Sequence, residues 1–181
     1  MTKHKPKIII VGAGLSGLTL ALSLAQSNFD IVVLEQASQL SEVGAGIQIS
    51  ANGARVLHLL GLESELAKVA FRPEQGEMRH WKTGETLISR PLGKTSVERF
   101  GFPYYHMHRY DFHRLLETAT RAAAPNAIRL QARVDTIKQN DRGVSAVLTS
   151  GDVIEGDVLI GCDGIHSVVR ETLFGADDPH F

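Results

Sequence analysis

Three glycines and one acid are the residues of this sequence best spaced to do chemistry. The run Gly12-Ala13-Gly14-Leu15-Ser16-Gly17 follows the apolar stretch Lys7–Val11 and opens a second apolar stretch. Each glycine has a physical task in such a turn. Gly12 permits a tight reversal, Gly14 lets a phosphate approach bare backbone, and Gly17 lets a helix lie close on a strand. Leu15 and Ser16 fall in the first helical turn, where free N–H groups and a partial positive charge favour phosphate oxygens. Glu35 stands 18 residues beyond Gly17, at the end of another apolar run. With Gln36 beside it, its carboxylate is placed to accept hydrogen bonds from ribose hydroxyls. A 2′-phosphate would be repelled there, which disfavours NADP. Strand, turn, helix, strand and acid occur in the order of a dinucleotide site. The motif alone does not separate FAD from NAD.

A second candidate corner is Gly161-Cys162-Asp163-Gly164, which follows the apolar run Val158–Ile160 and precedes Ser167 and Arg170. Ligands bind where strands of an open α/β sheet end. An ordinary alternative is Asp163 as a helix cap, with Cys162 a small buried residue. His106, His108 and His113 lie close in sequence, but no cysteine or acid completes a metal set, so no metal is expected. Ser16 and Ser167 lack a His/Asp partnership for a hydrolase. Trp81, Phe102, Tyr104 and Tyr105 suit either an aromatic substrate pocket or packing within a sheet.

The elements that must position these residues follow from periodicity. Lys7–Val11 and Ile31–Glu35 read as buried parallel strands, and Leu15–Ala25 as the crossover helix ending at Asn28. The spacing predicts helices over Ala51–Leu60, with Ser50 or Asn52 as cap and Gly61 as stop, over Leu62–Val69 and over Arg109–Ala124. Gly76–Ser89 reads as a β-hairpin, Arg90–Arg99 as a loop and Phe102–His108 as extended chain. Ile128–Leu130, Ala132–Gln139, Val144–Thr149 and Val153–Ile160 read as four strands, the last three separated by turns as in an antiparallel meander. A short helix is expected over Ser167–Phe174.

The bulk properties set limits. The 181 residues carry 19 basic and 20 acidic side chains, a formal net charge of −1. That balance offers nothing to nucleic acid or an anionic membrane. A single cysteine, Cys162, excludes an internal disulfide and fits a reducing, cytoplasmic location. No run reaches the roughly 18–20 apolar residues of a membrane span. The basic Met1–Lys7 followed by an apolar stretch imitates a secretory signal, but Gly12, Gly14 and Gly17 interrupt it at the spacing of a phosphate turn.

Taken together, Gly12-x-Gly14-x-x-Gly17, Glu35, Gly44-Ala45-Gly46-Ile47-Gln48, His108-Arg109-Tyr110-Asp111 and Cys162-Asp163-Gly164-x-x-Ser167-x-x-Arg170 resemble the single-component FAD-dependent aromatic-ring monooxygenases of the salicylate hydroxylase and 3-hydroxybenzoate 6-hydroxylase type. The resemblance covers essentially the whole chain. It implies an α/β, Rossmann-like FAD-binding domain with a parallel sheet and a β-meander, plus part of a β-rich substrate domain. The expected division assigns 1–72 and 107–181 to FAD and 73–106 to the substrate side. By the same resemblance Glu35 takes the adenosine ribose and Gln48 faces the flavin ring or the substrate. Arg109 meets the pyrophosphate or ribityl region, the Val134 backbone meets adenine, and Asp163 and Gly164 lie near the pyrophosphate. Gln48 cannot serve as a base, and no catalytic residue is assigned.

The implied reaction is NADH- or NADPH-driven hydroxylation of a small, hydroxybenzoate-like aromatic acid by dioxygen through a flavin hydroperoxide, in a monomer or homodimer. Family members run about twice this length. A fragment that binds FAD weakly and does not hydroxylate alone is therefore expected. The rival readings are an NAD-dependent dehydrogenase and a non-catalytic dinucleotide-binding remnant.

Overall fold

The computed structural model describes residues 5–40 and 44–175. The chain begins with β1 (Lys7–Val11), α1 (Leu15–Gln26), β2 (Asp30–Leu34) and β3 (Gly46–Ile49). It continues through α2 (Ala51–Leu59), α3 (Glu63–Val69), β4 (Ala70–Phe71), β5 (Gln75–Arg79) and β6 (Thr86–Pro91). Then come α4 (Gly93–Phe100), β7 (Tyr105–His108), α5 (Arg109–Ala123), β8 (Ile128–Arg129) and β9 (Val134–Asn140). The last elements are β10 (Gly143–Leu148), β11 (Val153–Gly156), β12 (Val158–Gly161) and α6 (Val168–Phe174). Two compact units result, 1–41 with 116–181, and 42–115. These contact-based limits fall at other positions than the functional division expected from sequence.

The first unit is a four-stranded parallel sheet in the order β12-β1-β2-β8 beside a three-stranded antiparallel meander, β11-β10-β9. Ile8–Val11 are all buried because β1 is central and covered on both faces. Helix α1 buries Gly17, Leu18, Ala21 and Leu22, and the wholly buried Thr120 donates its hydroxyl to the Leu18 carbonyl. One core joins the sheet to the meander: Ile9, Val11 and Leu34 pack with Ala132, Val134, Ala146, Leu148 and Val169. Each buried Val, Leu or Ile side chain of this set contributes about 1.5–3 kcal/mol by leaving water.

The expected single strand Val153–Ile160 is two. The chain leaves the meander at Gly156, where an added Cβ would come within 3.0 Å of the Lys7 carbonyl. Asp157 then clamps the start of β1 from both sides. Its N–H donates to the Lys7 carbonyl and its carboxylate accepts the Lys7 N–H at 2.7 Å. From Val158 the chain runs parallel to β1. The apolar pattern is continuous across this point, so periodicity alone does not show the switch of sheets.

In the second unit β7 lies between β3 and β4, antiparallel to both, and β5 and β6 form a separate hairpin. Alternation along β7 buries Tyr105 and Met107 and leaves His106 and His108 on the other face. The Tyr105 hydroxyl sits between His58 Nε2 at 2.9 Å and the Arg72 guanidinium at 3.1 Å. The expected loop Arg90–Arg99 is instead α4 from Gly93. Val97 and Phe100, its larger apolar residues, are exposed, so no hydrophobic stripe announces the helix. A Lys94–Glu98 pair one turn apart, the buried Ser96 donating to the Phe102 carbonyl, and left-handed Gly101 at its end support it.

Candidate functional site

The turn between β1 and α1 is built from backbone held at close range. Gly12 has φ +100° and donates its N–H to the Leu34 carbonyl at 2.8 Å. A Cβ there would stand 2.5 Å from the Cys162 carbonyl oxygen. A Cβ on Gly17 would stand 2.0 Å from the Gly12 carbonyl oxygen, so only glycine lets α1 seat on the turn. Gly14 differs, because a Cβ there meets nothing within 4 Å. It caps α1, whose first-turn N–H groups, those of Leu15, Ser16 and Gly17, have no intrahelical acceptor.

Glu35 follows β2 and braces this turn. One carboxylate oxygen accepts the Ala13 N–H at 2.8 Å and the other the Ala37 N–H at 2.9 Å. An ionised carboxylate has about four lone-pair positions, so each oxygen keeps one for an outside donor. Gln36 is exposed beside it.

The Asp163 corner combines both sequence readings. One Asp163 oxygen accepts the Ser167 hydroxyl at 2.6 Å and the other the Val169 N–H at 3.2 Å. Ser167 in turn caps α6 by accepting the Arg170 N–H at 3.0 Å. The carboxylate therefore fixes the turn at Gly164, which has φ +79°. The Cys162 N–H donates to the Val11 carbonyl, tying this corner to the glycine turn. Burial, and then the Asp163 charge, push the Cys162 thiol up from its ordinary pKa. At neutral pH it is protonated and a poor nucleophile.

These segments surround a cavity of about 610 Å³ within the first unit, inside the ~300–1,000 Å³ range of small-molecule sites. Gly12, Gly14, Glu35, Gln36, Val134, Asp163 and Gly164 line it. Leu15, Ser16 and Gly17 stand behind the turn and do not line it. The sequence reading missed Arg133 and His166 on its wall. Neither belongs to a motif. Only the fold brings the start of β9 and the α6 turn to the end of β2.

Gln48 and Arg109 belong to the second unit. Gln48 is exposed on β3, pairs across strands with His106, and accepts the Tyr104 hydroxyl at 2.9 Å. Arg109 opens α5, donates its N–H to the Ala45 carbonyl, and passes its side chain 3.2 Å from where a Gly44 Cβ would stand. The four aromatic candidates separate. Tyr105 is core, Phe102 packs edge-on to His58, Tyr104 faces Gln48, and Trp81 is 89% exposed at the hairpin tip. Among the described residues no cluster of three or more His, Cys, Asp or Glu side chains is placed to hold a metal, and no helix is long and apolar enough to cross a membrane.

A glycine turn at the end of a parallel strand, an acid after the next strand and a strand-end cavity between them define a dinucleotide-binding α/β unit. The family model described as "FAD binding domain" matches residues 5–176, and the chain belongs to that family. The chain is 39% identical over all 181 residues to 3-amino-4-hydroxybenzoate 2-monooxygenase PtnB3 of Streptomyces platensis, covering 45% of that protein. It is 38% identical over 180 residues to 6-hydroxynicotinate 3-monooxygenase of Pseudomonas fluorescens, covering 98% of this chain and 46% of that one. Among solved structures, tetrameric 2-methyl-3-hydroxypyridine-5-carboxylic acid oxygenase superposes with a TM-score of 0.80 at 27% identity, over 94% of this chain and 42% of that one. Klebsiella pneumoniae HpxO, complexed with FAD and uric acid, gives 0.79 at 27% identity over the same shares. The chain thus spans under half the length of the curated relatives it matches.

Proposed function

We propose that this chain is the FAD-binding portion of an NAD(P)H-dependent flavoprotein monooxygenase that hydroxylates a small aromatic acid with dioxygen. The observation that carries the reading is Gly14. It is the one glycine of the turn whose missing side chain leaves open space, and it borders the cavity at the N-terminus of α1. A pyrophosphate there meets backbone N–H groups and the positive end of the helix. Glu35, braced by Ala13 and Ala37, offers its remaining lone pairs to ribose hydroxyls, and Val134 closes the adenine end.

Bound FAD supplies the electron and oxygen chemistry, while the protein binds, orients and excludes water. Arg109 carries a permanent, planar charge suited to phosphate oxygens, and Gln48 is a neutral donor and acceptor toward a ring or its substituents. The proposed division gives 1–72 with 107–181 to the cofactor and 73–106 to the substrate side. The relatives named for hydroxybenzoate and hydroxynicotinate support an aromatic acid as substrate. The lone cysteine supports a reducing cytoplasmic location, and size-exclusion chromatography distinguishes a monomer from a homodimer.

The test is titration of the purified chain with FAD and, separately, with NADH. Saturable FAD binding is expected. Gly14→Val is expected to weaken it at least about tenfold while the protein stays folded. Tight NADH binding by a chain that does not take FAD would replace this reading with a dehydrogenase, and binding of neither would leave a non-catalytic remnant.

A further inference from the structure

The wall of the cavity carries a charge imbalance that the motif residues do not explain. Both of its carboxylates are held by neighbours other than a cation: Glu35 by two backbone N–H groups, Asp163 by the Ser167 hydroxyl and the Val169 N–H. Among the described residues Arg133 is the only lysine or arginine lining the cavity. Among the described residues its side chain makes no hydrogen bond, ion pair or ring contact. Its backbone, by contrast, is held. The Arg133 carbonyl accepts the Thr149 N–H at 2.9 Å, and Ala132 and Val134 on either side are buried in the core. Alternation turns Arg133 away from that core.

Arg133 stands at a definite end of the cavity. The Ala132 N–H donates to the Glu35 carbonyl at 2.8 Å, which holds the start of β9 against the residue assigned to the ribose. The phosphate-binding turn is the other landmark, set by Gly12 and Gly14. A cation beside the ribose acid and next to Val134 therefore faces the base of the dinucleotide rather than its phosphates.

We propose that Arg133 is an adenine-recognition residue, laying its guanidinium on the face of the base. This rests on the reading of the cavity as the FAD site. A planar, weakly hydrated guanidinium stacks on a flat π-system where a lysine ammonium does not reproduce the contact. An unpartnered arginine on a fixed backbone can make that contact without first breaking another.

The experiment measures equilibrium binding of FAD, and of AMP as its competitor, to the full 181-residue chain. Arg133→Ala is expected to weaken FAD and AMP by the same factor, about three- to thirtyfold. Arg133→Lys is expected to recover little of it. Unchanged FAD affinity in Arg133→Ala overturns the proposal and leaves the site reading intact. Recovery of full affinity by Arg133→Lys also overturns it, because charge alone would then suffice. Failure of the wild-type chain to bind FAD while folded overturns the site reading and this inference together.

Discussion

The β1–α1 turn and the β3–β7–β4 sheet both hold residues assigned to the cofactor, but they constrain their sequence in opposite ways. In the turn, backbone presses on backbone. A side chain at Gly12 or Gly17 would strike a carbonyl oxygen, and no neighbour can move aside without unmaking the sheet. In the sheet, side chains settle the matter. Gly44 makes room for the flexible Arg109 side chain, Gln48 answers Tyr104, and Tyr105 is locked by His58 and Arg72. The lesson is that a clash with a backbone carbonyl admits only glycine, whether the carbonyl is five residues away, as Gly12 is from Gly17, or far along the chain, as Cys162 is from Gly12, while a side-chain constraint is met by matched residues dozens of positions apart.

The largest expected effect tests the turn itself. Gly17→Ala should destabilise the fold by about 3 kcal/mol or more through overpacking against Gly12, read by thermal or denaturant unfolding. Gly14→Val, two turn positions from the clash, should cost only about 1 kcal/mol as a poorer cap. Equal stability of the two variants would break the distinction between packed and open glycines.

Next is Tyr105→Phe, which leaves the His58 and Arg72 groups without the phenol. A loss of about 1–2 kcal/mol is expected, seen as a lower denaturant midpoint. An unchanged midpoint would show that the sheet does not depend on its buried network. Ser167→Ala should cost about 1 kcal/mol by uncapping α6, and comparison with Asp163→Asn would separate the cap from the carboxylate that orders it. The smallest effect is expected in the hairpin. Leu87 on β6 is 57% exposed, and Leu87→Ser should stay within about 0.5 kcal/mol of wild type.

Much of the first unit was legible in the sequence. β1, α1 and β2 fall where periodicity and the glycines place them, because a buried parallel strand must be a continuous apolar run and a crossover helix must carry an apolar stripe. The hairpin and the helix at Arg109 were equally plain. The split at Asp157 was not, since both halves are apolar and only pairing distinguishes them. Helix α4 was not, since it turns almost nothing inward.

The sequence by itself determined the phosphate turn, the acid after β2 and the Asp163 corner, because each is local and its residue types are forced by the backbone. The tertiary structure alone decided what those motifs do to one another. It showed Glu35 bracing the turn through Ala13, Asp163 giving both oxygens to the start of α6, and Gly14 as the one open glycine of the turn. It also brought Arg133 to the cavity, from the residue before β9, far along the chain from the turn. No spacing rule encodes that meeting. It exists because the meander packs on the parallel sheet through Ala132, Val134, Ala146 and Leu148, and a core formed by distant strands fixes what lies along its rim.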